Sequence, residues 1–300
     1  MRGLLQANQF RHIVFPREDG RRKLVNLAPQ HSAAPVFEAL KYNLPGDEGS
    51  FLEWLFREAG LDIRQYRSET LHRRMSACLR TLRATSPDQA RRMLDQNPRL
   101  LTAALSAMLV GVTSFFRDAT VFEQFRDDIL PSLVESRSGV YAWSIGCSDG
   151  AELYSLAMIL AEKEFLSGSY LLGTDCRPDA IADARAGCYE PGALGQVPGH
   201  LRERHFEREG NRWLVASPIR KHLRWKVGNV LGDVEMGLWD VIMFRNTAMY
   251  LCPEAAASVW PRLEAALRPG GILILGRAER PTGAQRLRFL GPCIYRRQQR

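Results

Sequence analysis

The sequence predicts an α/β fold, a parallel sheet with helices on both faces, preceded by a helical domain. Two observations predict it. After Gly139, short apolar runs (VYAWSIG, YLLGTD, WDVIMF and GILILG) alternate with helical stretches (ELYSLAMILAEKEF, PDAIADARAG and PEAAASVWPRLEAAL). Near-continuous apolar strands separated by helices mark a sheet buried on both faces. From residue 48 to about 130, apolar residues recur at helical spacing instead.

In chain order, residues 1–46 form an extension of unassigned function. In it RHIVFPREDGRRKLVNL reads as a hairpin turning at Asp19-Gly20. A helical domain is expected over 47–130. FLEWLFREAG ends in Gly60, a C-cap residue type. SETLHRRMSACLRTL takes Ser68 as its N-cap, and Leu71, Met75, Cys78, Leu79 and Leu82 form one apolar stripe. Arg73, Arg80 and Arg83 fall largely outside that stripe. Ser86-Pro87-Asp88 opens the next helix with a cap, a first-turn proline and an acid near the positive end. The sheet domain is expected over 131–300. Within it, residues 190–226 are rich in turn residues and charges and too long for a plain connection, so they read as an inserted subdomain.

Composition narrows the class. The chain has 300 residues, 45% apolar and 25% charged, enough for a sizeable core without disulfides or metals. No run of 18 apolar residues argues for a membrane span. The start, MRGLLQANQFRH, lacks a secretory apolar run. Cys78, Cys147, Cys176, Cys188, Cys252 and Cys293 form no CxxC pair, which fits reduced cytoplasmic thiols better than a disulfide framework or a zinc site. No metal is expected. The net charge is +8, and between Leu61 and Leu100 nine arginines face four acids, a local +5. Such a surface is either a solvated helical face or a dock for a polyanionic partner.

Three strand ends carry candidate chemistry. In W-S-I-G-C-S-D-G-A-E (143–152), Gly146 and Gly150 let the chain turn tightly between a strand and a helix. That is a packing turn or a ligand-hugging loop, and it is not the dinucleotide fingerprint. Asp175 ends the next strand, where an acid either caps a helix or accepts the hydroxyls of a ribose. Asn229, and then Arg245, Asn246 and Tyr250, stand at later strand ends on the same edge of the sheet, as loop residues or as pocket residues.

Taken together these motifs resemble the CheR family of chemotaxis-receptor methyltransferases. V-T-S-F-F-R-D (112–118) is similar to the family's T-x-F-F-R-D, and the 143–158 segment to its W-S-x-G-C-S-T-G-E-E-P-Y-S-L-A-M. Gly173-Thr174-Asp175, Ala184 to Tyr189, V-x-N-x-L (227–231), V-I-x-x-R-N-x-x-x-Y (241–250), L-R-P-G-G (267–271) and Gly276 to Glu279 follow in family order. The resemblance implies a Rossmann-like S-adenosylmethionine-dependent methyltransferase sheet with an N-terminal helical domain and a small antiparallel β insertion. It implies that Thr113, Arg117, Gly146, Glu152, Asp175, Asn229, Arg245 and Asn246 bind S-adenosylmethionine, and that Arg117 and Tyr250 sit beside the methyl group. Arg73, Arg80 and Arg83 would dock the acidic methylation helices of a chemoreceptor-like substrate. The expected protein is a cytoplasmic monomer that binds no nucleic acid.

The implied reaction is in-line transfer of methyl to a glutamate carboxylate, giving a methyl ester. A free glutamate, with a pKa near ~4.3, is already ionised at neutral pH, so no general base is required. Departures from the family pattern are Gly111 (for Asn), Asp149 (for Thr), Ala151 (for Glu), Leu153 (for Pro) and Phe244 (for Cys). Gly111 and Asp149 are expected beside the cofactor's methionine part. Two other readings stand beside this one. A nucleic-acid methyltransferase is suggested by charge, but its usual Asn/Asp-Pro-Pro-aromatic strand end is here Phe244-Arg245-Asn246-Thr247. A non-catalytic S-adenosylmethionine-binding scaffold or sensor on the same fold is suggested by the altered glycine loop.

Overall fold

The computed structural model describes residues 12–16, 22–26, 46–111, 113–135, 137–232, 235 and 237–299. The chain divides into two units, Met1–Ala39 and Leu40–Arg300. In the first, β1 (His12–Pro16) and β2 (Arg22–Asn26) pair antiparallel with His12 opposite Asn26, as the hairpin reading requires. Its expected turn at Asp19-Gly20 lies outside the described residues.

The second unit opens with α1 (Gly46–Glu58), α2 (Ser68–Leu82), α3 (Pro87–Gln96) and α4 (Leu100–Met108). The α2 stripe is buried at Leu71, Met75, Cys78 and Leu82, and Arg73, Arg80 and Arg83 are exposed. Ser86 caps α3 by accepting from Gln89 N at 3.2 Å, with Pro87 at the first position. Ser68 is not a cap. It is the first helical residue, and Arg67 occupies the cap, where its donor-only guanidinium cannot accept from the helix amides and instead donates to Leu251 O at 2.9 Å, while its own amide donates to Tyr250 O at 2.9 Å.

Next come α5 (Ala119–Gln124), a π-turn (Phe125–Ile129) and α6 (Leu130–Val134). Expected with the helical domain, α5 and the π-turn share the core of the sheet through Phe122, Phe125 and Ile129, as α6 does through Leu130. Their apolar side is aromatic and bulky, and burying each such side chain contributes roughly 1.5–3 kcal/mol.

The sheet domain continues as β3 (Tyr141–Ile145), α7 (Ala151–Glu162), β4 (Tyr170–Asp175), α8 (Pro178–Ala186), β5 (Cys188–Tyr189), α9 (Gly199–His205), β6 (Phe206–Glu209), β7 (Arg212–Val215), α10 (Ser217–Arg220) and β8 (Leu223–Val227). It closes with β9 (Trp239–Phe244), α11 (Pro253–Ala266), β10 (Leu267–Leu275), β11 (Leu287–Gly291) and β12 (Ile294–Arg297). Seven strands lie in the order β11-β12-β10-β9-β3-β4-β8. Strands β10, β9, β3, β4 and β8 are parallel, and β12 and β11 run antiparallel at one edge.

A second sheet, β5-β7-β6, is small and antiparallel. The expected insertion, 190–226, differs from it at both ends. The small sheet already begins at Cys188, and Leu223–Val227 belongs to the main sheet, paired with β4. Strand β8 hid in the sequence because it is an edge strand: Arg224, Lys226 and Val227 are exposed. Among the described residues, no helix is long and apolar enough to cross a membrane.

The chain builds β3, β4 and β8 outward in one direction, then returns to lay β9 against the other side of β3. That reversal opens a crevice at the carboxyl ends of β3 and β9, where open α/β sheets bind ligands.

Candidate active site

Five segments meet in this crevice. The first is the loop after β3. Gly146 has φ +63°, and a Cβ there would collide with Thr247 Oγ1, so only glycine lets the loops after β3 and β9 close on each other. The second is the end of β4. Asp175 is 5% exposed and accepts from Ser148 N at 3.0 Å, from Arg177 N at 3.0 Å, and from the Arg177 guanidinium at 3.0 and 3.1 Å. Asp175 is not the cap of α8, a position that Arg177 occupies, but its carboxylate holds Arg177 at the entry to that helix and lines the crevice.

The third segment follows β8. Asn229 Oδ1 accepts from Leu231 N at 3.0 Å, a local turn that holds Val230 and Leu231 against the crevice. The fourth follows β9. Arg245, its side chain 1% exposed, donates to Glu152 Oε2 at 2.9 Å, Asp118 Oδ2 at 2.6 Å and Arg117 O at 2.9 Å. Burial pushes the Glu152 carboxyl above the usual glutamate range, while Arg245 pulls it back. The loop itself hangs on Glu279. That buried carboxylate accepts from Asn246 N (2.9 Å), Thr247 N (2.8 Å), Ala248 N (2.8 Å) and Gly276 N (2.8 Å). Asn246, at φ +55°, depends on that clamp.

The fifth segment carries Thr113 and Arg117. Phe115 and Phe116 are fully or nearly buried, Phe115 edge-on to Tyr189 at 4.7 Å, and Phe116 N donates to Ser155 Oγ at 2.9 Å. These anchors leave half-buried Arg117 on the crevice wall. The helical domain closes the far side with Tyr66, Leu109 and Val110, and the Tyr250 hydroxyl donates to Val110 O at 2.8 Å.

Every sequence-derived cofactor and catalytic candidate therefore lines one crevice: Thr113, Arg117, Gly146, Glu152, Asp175, Asn229, Arg245, Asn246 and Tyr250. Arg73, Arg80 and Arg83 lie apart from it on α2. One expectation about the altered positions changes, that for Asp149. Gly111 lines the crevice, but Asp149 does not.

Known proteins match over the same elements. The family model described as the CheR methyltransferase SAM-binding domain matches residues 111–290, and that of the CheR all-alpha domain matches residues 49–109. The chain belongs to the CheR methyltransferase family. It is 32% identical over 200 residues to chemotaxis protein methyltransferase 1 of Pseudomonas aeruginosa, spanning 63% of this chain and 73% of that one. It is 30% identical over 258 residues to a probable chemotaxis protein methyltransferase of Rhizobium etli, spanning 81% and 96%. A chemotaxis protein methyltransferase of Listeria monocytogenes is 27% identical over 224 residues, spanning 74% and 86%.

The cofactor of this CheR-family chain is S-adenosylmethionine, and the crevice suits it. The carboxylates of Glu152 and Asp175 match a cationic, diol-bearing ligand, and the apolar walls at Val230, Leu231 and Leu109 match a flat base. Sequence reasoning missed Ser148 and Arg177, which bond Asp175, and Tyr66, Leu109 and Val110 from the helical domain. Only their folded positions bring these last three to the crevice.

Asp149 yields a stability prediction. Burial raises its carboxyl from an ordinary 3.8 to about 6. The folded protein thus holds this proton more tightly than the unfolded chain does. Stability is fully present below the ordinary value, is lost as pH climbs toward 6, and stays lost above it. Asp149→Asn keeps an acceptor for Ala151 N, 3.1 Å away, without the charge. It is expected to raise stability at pH 7.5 by roughly 1–2 kcal/mol and to flatten the pH dependence between 4 and 6, read by thermal melts. No gain at pH 7.5 would refute this.

Proposed function

We propose that this chain transfers methyl from S-adenosylmethionine to glutamate side chains of a chemoreceptor-like acidic helical protein, giving methyl esters. The observation that carries the reading is the convergence of Glu152, Asp175, Asn229, Arg117 and Tyr250 on one crevice at the sheet's switch point. Bound S-adenosylmethionine supplies an electrophilic methyl group. The chain's own task is orientation, which is worth roughly 7–11 kcal/mol in favourable cases. Arg117 holds the incoming carboxylate through its fork of donors. Tyr250 presents its ring and oxygen to the same space, its proton committed to Val110 O. Arg245 fixes the backbone of Arg117 and the Glu152 carboxylate together.

The substrate class is supported by α2. Its first turn is tied to the crevice through Arg67 N and Tyr250 O, 2.9 Å apart. At 1.5 Å per residue, Arg73 and Arg80 lie about 9 and about 20 Å along the axis from that tie. They form an exposed basic track leading from the reaction site.

Labelled-methyl transfer to receptor-containing membranes tests the activity. Label released as methanol in mild base marks an ester. Base-stable label, or none, defeats the assignment. Arg73→Glu with Arg80→Glu is expected to raise KM for receptor about tenfold or more, with a far smaller change in kcat. The wild-type KM is expected to rise with salt. A lost kcat at constant KM would remove α2 from docking.

A further inference from the structure

Asp175 is saturated by the chain itself. An ionised carboxylate offers about four acceptor positions. Four donors take them: the backbone amides of Ser148 and Arg177, and Nε and Nη2 of Arg177. The two amides are fixed by the backbone, whereas the guanidinium is carried on a side chain that can leave. It has room at this spot because residue 111 is glycine: a Cβ there would collide with Arg177 Nη2. Nη2 also donates to Ser148 Oγ at 3.2 Å, and Ser148 Oγ in turn donates to Gly111 O at 3.0 Å.

A second carboxylate waits nearby. Asp179, in the first turn of α8, accepts from Ser106 Oγ of α4 through Oδ2. Its Oδ1 is buried with no hydrogen-bond partner among the described residues. Buried acceptors are rarely left so. Asp179 already acts on Arg177 electrostatically, favouring its charged form.

We propose that Arg177 is a latch shared between two carboxylates: it competes with the ribose of the cofactor for Asp175, and moves to Asp179 Oδ1 when the ribose wins. This rests on the cofactor reading of the crevice. Arg177 is thus a positioning residue that sets the affinity for the nucleoside. Through the Ser106–Asp179 bond, the exchange is felt by the helical domain.

Calorimetric titration of the full chain with S-adenosylhomocysteine reads the competition. Arg177→Ala is expected to bind about tenfold more tightly than the wild type, since Asp175 becomes available in every molecule. Asp179→Asn keeps an oxygen for Ser106 but loses the receiving charge, and is expected to bind about threefold to tenfold more weakly. Arg177→Gln is a milder second variant that shortens the side chain and removes the fork, and it is expected to tighten binding as well. In steady state both Arg177 variants lower KM for S-adenosylmethionine, whereas a merely structural role would lower thermal stability without tightening the ligand.

Equal or weaker binding by both Arg177 variants overturns the competition. An Asp179→Asn protein that binds like the wild type overturns the transfer. If the wild type and both Arg177 variants all fail to bind, the cofactor reading falls, and the latch falls with it.

Discussion

Arg117→Ala is expected to leave a folded protein that binds S-adenosylhomocysteine within a few-fold of the wild type but transfers methyl about 10²–10³ times more slowly. The carboxylate nucleophile needs no deprotonation at neutral pH, so the enzyme's contribution is geometry and charge. Because the carboxylate loses charge as it takes the methyl group, the contribution of Arg117 is orientation, and losing about 3–4 kcal/mol of the roughly 7–11 kcal/mol that orientation can supply gives that range of rate. Arg117 is held for this role by Phe115 and Phe116 beneath it and by its carbonyl on Arg245. Arg117→Lys keeps the charge but loses the fork, and is expected to recover only part of the rate. Single-turnover transfer with saturating cofactor gives the rate, and calorimetry gives the affinity. If affinity for S-adenosylhomocysteine falls as steeply as the rate, Arg117 serves the cofactor and not the carboxylate.

Much of this arrangement was legible in the sequence because burial on both faces writes itself as unbroken apolar runs. YAWSI, LLGTD, WDVIMF and ILIL became strands whose residues are nearly all buried. Their ends could then be laid along one edge, and Gly146, Asp175 and Arg245 share a crevice for that reason. Strand β8 escaped because an edge strand is wet on one side, and LRWKV alternates charge with apolar residues. The hairpin β11–β12 escaped likewise, with Arg288, Phe289 and Leu290 exposed. The inward duty of Glu279 was hidden for a different reason. A glutamate that gathers four backbone amides looks, in sequence, like any loop acid. The pairing of Asp175 with Arg177 was equally hidden, since two residues apart at a strand–helix turn they can face together or apart. Local pattern thus located the strand ends, and tertiary contacts decided which polar groups there are committed to each other.

Arg245→Ala is expected to be the most destabilising single substitution at the site, by about 3–5 kcal/mol, because it strips buried Glu152 of its paired cation and half-buried Asp118 of one of two. Glu152 and Asp118 keep side-chain exposures of 11% and 15%, so water cannot replace the guanidinium. Arg277 still reaches Asp118 at 2.6 Å, but from an exposed position. Glu152 has Ser144 Oγ at a weak 3.4 Å as its remaining donor. Burial already holds its carboxyl above the usual glutamate value, and without Arg245 only the weak Ser144 bond opposes that burial. The variant therefore binds a proton at Glu152 more readily when folded than when unfolded. Its stability should rise as pH falls through that raised value and be lowest above it, the reverse of an ordinary paired glutamate. Glu152→Gln in the same chain removes the charge that must be buried and should recover part of the loss, whereas Glu152→Gln alone should destabilise by leaving Arg245 half-paired. Urea melts of the four proteins at pH 5.5 and 8 form a double-mutant cycle. Equal losses for Arg245→Ala at the two pH values, with no recovery in the double variant, would show that Arg245 acts by packing over Phe122 and not as the cation joining the loops after β3 and β9.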